Sequence, residues 1–263
     1  MGQFRGHTIT FDGIGSTQFG LYLCNTETGN ERDFGFNKST EKTTDKFGNS
    51  ILNSVTKNSQ TYSIQLAKLD RYYNPLPISN EELRMISRWL FRYDEYKPMQ
   101  VETENGEFIE YYGLFIKGSI WQNEARQGYI TVEFEMASPY GILLYQDYEC
   151  EIESEKAITL ESRHDYDEYN PIDIEVEVLG DSMTITNETT KQVIELKNID
   201  DTCRKLMIYN EPIKHIVNID NPKMNVKPKF NGVYMKLEFG DNKIRIQGRG
   251  NVKFINRPKM SLN

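Results

Sequence analysis

A single well-capped helix interrupts a chain that otherwise consists of short strand patterns. Ser79 and Glu82 have the S-x-x-E spacing of a capping box, in which the serine oxygen accepts a backbone N–H and the glutamate reaches back. The glutamate also complements the positive start of a helix. The apolar side chains that follow recur every three or four residues, which predicts one buried stripe on a helix over about 79–94, formed by Leu83, Ile86, Trp89, Leu90 and Tyr93.

Strand patterns lie on both sides of this helix. Thr61–Ala67 alternates polar residues with Tyr62, Ile64 and Leu66, as one buried face of a strand requires, and Tyr129–Met136 alternates in the same way. Aromatic residues make up 12% of the chain, which favours pleated, half-buried strands over helical bundles. The sequence therefore predicts a mainly β fold with antiparallel sheets. Further strands are predicted at Thr8–Phe11, Phe19–Cys24, Met99–Glu102, Phe108–Tyr112 and Leu114–Trp121.

The strand pattern stops and restarts at Ser138–Gly141, where Pro139 cannot donate to a sheet ladder. Because 263 residues suit two domains of common size, we predict a domain over 1–140 that carries the helix and a second over 141–263. The second half shows short strands separated by turn residues, among them Val233–Phe239, and this pattern indicates a β-sandwich. Both domains are thus expected to be sandwich-like.

Two segments are predicted to lie outside the regular strands. The stretch 26–59 is polar and rich in Thr, Asn, Lys and Gly, which predicts an exposed loop or a long hairpin rather than part of a core. The glycine pairs Gly13–Gly15 and Gly248–Gly250 precede no helix whose start could face a phosphate, so we interpret them as turns.

Charge and cysteine content exclude several classes of protein. With 39 acidic and 31 basic residues the net charge is −8, which opposes the electrostatic attraction that dominates nucleic-acid binding. Cys24, Cys150 and Cys203 lie far apart and in no CxxC pair, so we expect three reduced thiols, as in a cytosol, and neither disulfides nor a zinc site. The sequence shows neither a signal-peptide core nor an apolar run long enough to span a membrane.

The residues that usually carry chemistry form no recognisable motif. His7, His164 and His215 are far apart and lie in neither an HExxH motif nor a nucleophile elbow. The acidic run Asp165–Tyr169 lacks the glycine and the final glutamate of an EF-hand loop. Trp89 is predicted to be a core anchor rather than a ligand platform. We therefore expect no enzyme, with no catalytic residue, no cofactor and no metal ligand.

Four segments in a fixed order resemble one family. These are Phe11-Asp-Gly with Phe19-Gly-Leu, the helical Glu82–Leu90, the strand and turn Thr131–Tyr140, and Gly240–Ile246 near the end. In order and spacing the chain resembles the distal tail proteins, the Dit family, of long-tailed phages that infect Gram-positive bacteria.

This resemblance implies a structural role at the tail tip of a virion, for a protein made in the host cytoplasm. The first domains would form a hexameric ring that joins the tail tube protein to the tail-associated lysin or tail-fibre hub and lets DNA pass. The second domain would be similar to a galectin or a carbohydrate-binding module, with receptor-binding proteins as further partners. An acidic chain suits a passage that should repel phosphates, and a closed ring would use head-to-tail contacts, for which 26–59 is a candidate.

Two other classes of function remain open from the sequence. As a carbohydrate-binding module for host surface glycans, the second domain would stack sugar rings on exposed aromatic side chains, and the candidates are Tyr145, Tyr148, Tyr166 and Tyr169. Glycan binding by a monomer would distinguish that role from a scaffold. As an enzyme, the chain would need an acid pair or a nucleophile in a cleft, and activity on host peptidoglycan would reveal it.

Overall fold

The computed structural model describes residues 8–24, 38–58, 60–103, 106–144, 146–165 and 169–261. The chain divides into two compact units, of which the first runs to Leu144 and the second ends at Met260. The predictions that fall outside the described residues concern His7, Tyr145, Tyr166, positions 167 and 168 of the acidic run, and residues 26–37 and 59 of the polar stretch.

The first unit is built around one antiparallel sheet. Its strands are β1 (Ile9–Phe11), β2 (Ile14–Gly15), β3 (Leu21–Leu23), β4 (Lys38–Thr44), β5 (Ser50–Lys57), β6 (Thr61–Lys68), β7 (Lys97–Glu102), β8 (Phe108–Gln122), β9 (Gly128–Met136) and β10 (Tyr140–Leu143). The sheet runs in the order β2-β1-β7-β8-β9-β6-β3, β10 pairs with β8, and β4 pairs with β5 in a separate hairpin. One face of the sheet holds the core of this unit, with Phe11, Leu66, Val132 and Phe134 fully buried.

Helix α1 (Asn80–Phe91) confirms the capping prediction. Ser79 Oγ accepts the Glu82 N–H at 3.2 Å, and Glu82 Oε2 accepts the Ser79 N–H at 2.9 Å. The Lys68 ammonium, 2.5 Å from Glu82 Oε1, and the Ser79 N–H hold the pKa of Glu82 at about 2. The predicted stripe is buried at Ile86, Trp89 and Leu90, whereas Leu83 and Tyr93 are half-buried against the core. The helix ends earlier than predicted, because Arg92 caps it at Phe91.

The strand pairing of the first unit continues past Pro139. Strand β10 pairs with β8 through Ile142 opposite Glu110 and Leu143 opposite Ile109. The domain boundary that the sequence places at residue 140 stays a prediction. Strand β8 also corrects the sequence interpretation, because Phe108–Tyr112 and Leu114–Trp121 form one continuous strand through Gly113. A Cβ at Gly113 would lie 2.2 Å from the Glu135 carbonyl oxygen, so glycine here permits close packing rather than a turn.

The second unit is also antiparallel and β-rich. Its strands are β11 (Gln146–Ile152), β12 (Glu155–Ser162), β13 (Asn170–Pro171), β14 (Asp173–Asn187), β15 (Gln192–Lys197), β16 (Lys205–Tyr209), β17 (His215–Asn218), β18 (Lys236–Leu237) and β19 (Gly240–Asn256), and β20 (Lys259–Ser261) lies at the division between the units. Five strands follow the order β11-β19-β14-β16-β17, while β12 pairs with β19 and β15 with β14. Ile174, Val176, Val252 and Phe254 are fully buried in its core. The mainly β, sandwich-like class predicted from the sequence is confirmed.

Two predictions about the second unit are wrong. Gly248–Gly250 is not a turn, because β19 passes straight through it opposite a register shift between Val178 and Met183 of β14. Val233–Phe239 is not a full strand, since only β18 pairs. Side chains replace the ladder at that point: Gln192 Oε1 accepts the Lys236 N–H at 2.8 Å, and Asn210 Nδ2 donates to the Met235 carbonyl at 2.5 Å.

Two short 3-10 helices complete the described secondary structure, at Ser16–Phe19 and Lys227–Lys229. None of the helices in the described ranges has the length and apolarity needed to cross a bilayer.

Candidate functional site

The histidines and cysteines of the described residues have structural surroundings. His164 is buried, with Nδ1 2.9 Å from Ser162 Oγ, and His215 stacks on Tyr209 with ring centroids 4.6 Å apart. Cys24, Cys150 and Cys203 carry free thiols. Burial raises the pKa of Cys24 to about 11, so this thiol is a weak nucleophile at neutral pH.

A cleft in the second unit brings charged groups of both signs together. It measures about 520 Å³ and is lined by Pro171, Asp173, Glu211, Pro212, Ile255 and Arg257. Burial raises the pKa of Asp173, whose Oδ1 accepts the Asn210 N–H at 2.6 Å, while the Arg257 guanidinium contacts Asp147. Among the residues that the structure describes, no set of three His, Cys, Asp or Glu side chains is placed to hold a metal ion.

The two described candidates for sugar stacking lie on different elements of the second unit. Tyr148 is on β11, opposite Phe254 of β19, and is 39% exposed. Tyr169 precedes β13, which pairs only with β18, and Lys236 lies over its ring at 5.9 Å. A glycan platform built from these tyrosines stays a prediction.

The hairpin of β4 and β5 is the most exposed regular structure in the described residues. Every described side chain on its two strands is exposed, and Ile51, Leu52 and Val55 are each about half exposed (52%, 54% and 48%). The outer edges of β4 and β5 pair with no other strand in the part of the chain that the structure describes. A two-stranded hairpin is marginally stable alone, and free strand edges and exposed apolar side chains are features of contact surfaces. The pairing of β4 with β5 confirms the prediction of a long hairpin within 26–59.

The tip of this hairpin is held rigidly. Asp45 Oδ1 accepts the N–H groups of Phe47 and Asn49, both at 2.8 Å, and its Oδ2 accepts the Asn49 side chain at 3.0 Å. The Asn49 hydrogen bonds hold the pKa of Asp45 below its usual value. Gly48 adopts φ 87°, the left-handed conformation that closes a three-residue hairpin loop. Phe47, 77% exposed, is presented at the tip.

A second loop, between β6 and α1, repeats the same construction. Asp70 Oδ1 accepts the N–H groups of Tyr72 at 2.7 Å and Asn74 at 2.9 Å, and Oδ2 accepts the Asn74 side chain at 3.0 Å. The left-handed position that Gly48 fills in the hairpin tip is here Tyr73, at φ 64°. This conformation is strained for a bulky residue, and such strain is concentrated at functional sites. Tyr72 and Tyr73 are 67% and 63% exposed.

Three aromatic side chains and one alanine form a row across four strands, on the face of the first sheet that lies opposite the core. Tyr22 of β3 lies opposite Ala67 of β6, which lies opposite Tyr129 of β9, which lies opposite Trp121 of β8. Cross-strand partners share one face, so these four side chains form what we call the aromatic row. Trp121 stacks on Tyr129 with centroids 5.7 Å apart, and Tyr73 packs edge-on against Tyr22 at 6.1 Å.

Hydrogen bonds from the neighbouring loops fix the end of the sheet that carries the aromatic row. Gln127 Nε2 donates to the Pro75 carbonyl at 3.0 Å, and Ile78 N donates to the Arg126 carbonyl at 3.0 Å. Trp121 is nevertheless 57% exposed, whereas Tyr22 and Tyr129 are half-buried and Ala67 is buried, so the row is uncovered at its Trp121 end. Sequence reasoning missed it because its residues lie on different strands, far apart in the chain, and only the register brings them together.

The described residues thus form two mainly β units, of which the first carries an exposed hairpin and a partly exposed aromatic row. The family model described as a phage tail protein N-terminal domain matches residues 4–138, more than half of the chain. The chain therefore belongs to this family of phage tail proteins.

One solved structure extends the likeness in fold to nearly the whole chain. The Dit protein of phage SPP1, described as a paradigm of the hub adsorption apparatus in Gram-positive-infecting phages, is 11% identical with a TM-score of 0.60, over 96% of this chain and 98% of its own. A chain of the phage P2 baseplate in its activated conformation with calcium is 8% identical with a TM-score of 0.45, over 92% of this chain and 91% of its own. No curated protein sequence matches the chain. At such identities the likeness to the SPP1 protein shows a shared two-unit fold.

Proposed function

We propose that this protein is the distal tail protein of a long-tailed phage and forms a ring at the tail tip. The observation that carries the proposal is the fold shared with the SPP1 Dit hub protein over nearly the full length of both chains. Membership of a phage tail protein family supports the same role independently, because it rests on the sequence of residues 4–138.

In this role the first unit forms a hexameric ring that joins the tail tube to the adhesion device and leaves a central passage for DNA. Ring contacts are head-to-tail, so each chain must present two different, complementary surfaces. The exposed hairpin of β4 and β5 supports this arrangement, because its apolar side chains are about half exposed and its outer edges pair with no other strand among the described residues. The net charge of −8 suits a protein that surrounds DNA without gripping it.

The role has no need of catalysis. The buried or stacked histidines and the weakly nucleophilic Cys24 thiol agree with a structural protein. The second unit projects its own surfaces to neighbouring tail proteins, of which the tail-associated lysin or fibre hub and receptor-binding proteins are the proposed partners.

Gold-labelled antibody against the purified chain tests the location on intact virions of the phage that encodes it. We expect label at the distal end of the tail, at the junction with the adhesion device, because a hub protein occupies that single place. Label along the whole tube, at the head, or absent from disrupted as well as intact virions would contradict the proposal. Antibody against the tail tube protein provides the control for access to the tail.

A further inference from the structure

We infer that, in the ring, the hairpin of one copy packs its Leu52 and Val55 side chains onto the aromatic row of the next copy. The inference rests on the proposed function, since it assigns the two surfaces through which a ring of this chain would close.

The aromatic row has the chemistry of an interface centre. Trp and Tyr are the residues most enriched among the side chains that dominate binding energy, in part because they bury large areas at a small cost in side-chain entropy. Trp121 is already oriented by its stack on Tyr129, and Tyr73 by its contact with Tyr22. The side chains of this surface therefore lose little conformational entropy when a partner binds.

Next to the row, the same sheet face changes from apolar to polar. Gln65 of β6 lies opposite Thr131 of β9, which lies opposite Ser119 of β8. Two residues further along β9, Glu133 lies opposite Lys117, with Lys117 Nζ 2.7 Å from Glu133 Oε1. An apolar patch bordered by neutral hydrogen-bonding groups resembles the core and rim of protein interfaces.

One face of the hairpin complements this surface. The register of β4 and β5 places Leu52 opposite Lys42 and Val55 opposite Thr40, after a bulge that shifts the pairing. Lys42 and Thr40 are two residues apart on β4, so all four side chains lie on one face. Two aliphatic side chains suit an aromatic surface, and a lysine beside them can place its ammonium over an aromatic ring. The opposite face carries Ser39, Glu41 and Thr56 and one aliphatic side chain, Ile51, against the two of the Leu52 face.

A second copy is the occupant that fits both surfaces. Leu52 is 54% exposed and Trp121 57% exposed in the isolated chain, so the hairpin does not cover the row of its own chain. A head-to-tail ring needs one surface of each kind on every copy, and the first unit carries both. When the hairpin of each copy packs on the aromatic row of the next, one type of contact, repeated around the ring, buries both surfaces.

Photo-crosslinking tests the contact directly. Benzoylphenylalanine replaces Leu52, the ring is assembled from an equal mixture of nitrogen-15-labelled and unlabelled copies, and crosslinked peptides are mapped by mass spectrometry. We expect mixed-isotope peptides that join position 52 to the segment around Trp121 and Tyr129 or to the Tyr72–Tyr73 loop. The matched control carries the same group at Thr56, on the opposite face of β5, and should crosslink these segments far less.

Assembly of matched variants gives a second readout. Leu52→Asp should raise the concentration at which half of the ring dissociates by about tenfold or more, whereas Thr56→Asp should leave it nearly unchanged. Both residues are exposed, so the urea midpoint of the single chain should not move in either variant.

The outcomes separate the inference from the proposed function. A ring that forms, but crosslinks position 52 elsewhere or tolerates Leu52→Asp, overturns the inference and leaves the ring intact. A chain that stays monomeric under all assembly conditions overturns the ring and the hairpin contact together.

Discussion

Replacing Gly250 with alanine should lower the free energy of unfolding of the second unit by about 4 kcal/mol or more, which is among the largest effects of single substitutions. Gly250 has φ 150° in strand β19, and a Cβ there would lie 1.8 Å from the Glu177 carbonyl oxygen of the paired strand β14. Because the added Cβ clashes with the backbone of a paired strand, the clash can be relieved only if β14 and β19, the two longest strands of the unit, move apart.

Gly232→Ala is the matched control for this substitution. Gly232 has φ 81° in the same unit, but no atom lies within 4 Å of an added Cβ. Its substitution should therefore cost only the conformational strain of a left-handed alanine, about 1–2 kcal/mol.

Two spectroscopic signals separate the units in this experiment. Both tryptophans, Trp89 and Trp121, belong to the first unit, so tryptophan emission follows that unit, whereas far-ultraviolet circular dichroism follows both. In urea, Gly250→Ala should shift the dichroism transition and leave the emission transition in place. Equal urea midpoints for Gly250→Ala and Gly232→Ala would show that β14 and β19 are not as close as described.

The second large effect is expected at Trp89, where alanine should lower the free energy of unfolding of the first unit by about 3–5 kcal/mol. The indole is 3% exposed, stacks on Phe19 at 4.9 Å, and donates from Nε1 to the Phe11 carbonyl at 3.2 Å. Truncation leaves a cavity between the helix and the sheet and removes the donor for that buried carbonyl.

Trp121→Ala is the matched control, because it removes the other tryptophan from an exposed position in the same unit. In the single chain it should change the free energy of unfolding by less than about 1 kcal/mol. Both variants are followed by circular dichroism in urea. Equal destabilisation by the two substitutions would contradict the assignment of Trp89 to the core and Trp121 to a free surface.

The helix could be predicted from the sequence because its signals are local. The Ser79 and Glu82 capping box and the spacing of Ile86, Trp89 and Leu90 depend only on neighbours along the chain. The exposed hairpin could also be predicted, since a polar stretch between strands cannot contribute to a core. Only the predicted end of the helix was wrong, because no local signal distinguishes Arg92 as the C-cap from one more helical residue.

The long strands and the aromatic row could not be predicted, because both depend on register between distant segments. Gly248 and Gly250 have the spacing of a turn, and only the pairing of β19 with β14 shows that they allow two backbones to approach closely. Likewise, Tyr22, Tyr129 and Trp121 become neighbours only through the pairing of β3, β6, β9 and β8. Local patterns indicate most of the strand segments, but cross-strand register decides which side chains meet.

The mass and shape of the purified protein, by light scattering with negative-stain imaging, test the central claim most directly. The account predicts a particle about six times the 30.7 kDa mass of one chain, with a closed outline and a central opening. A particle that stays at the mass of one chain at every concentration, or an open filament without closure, would contradict it.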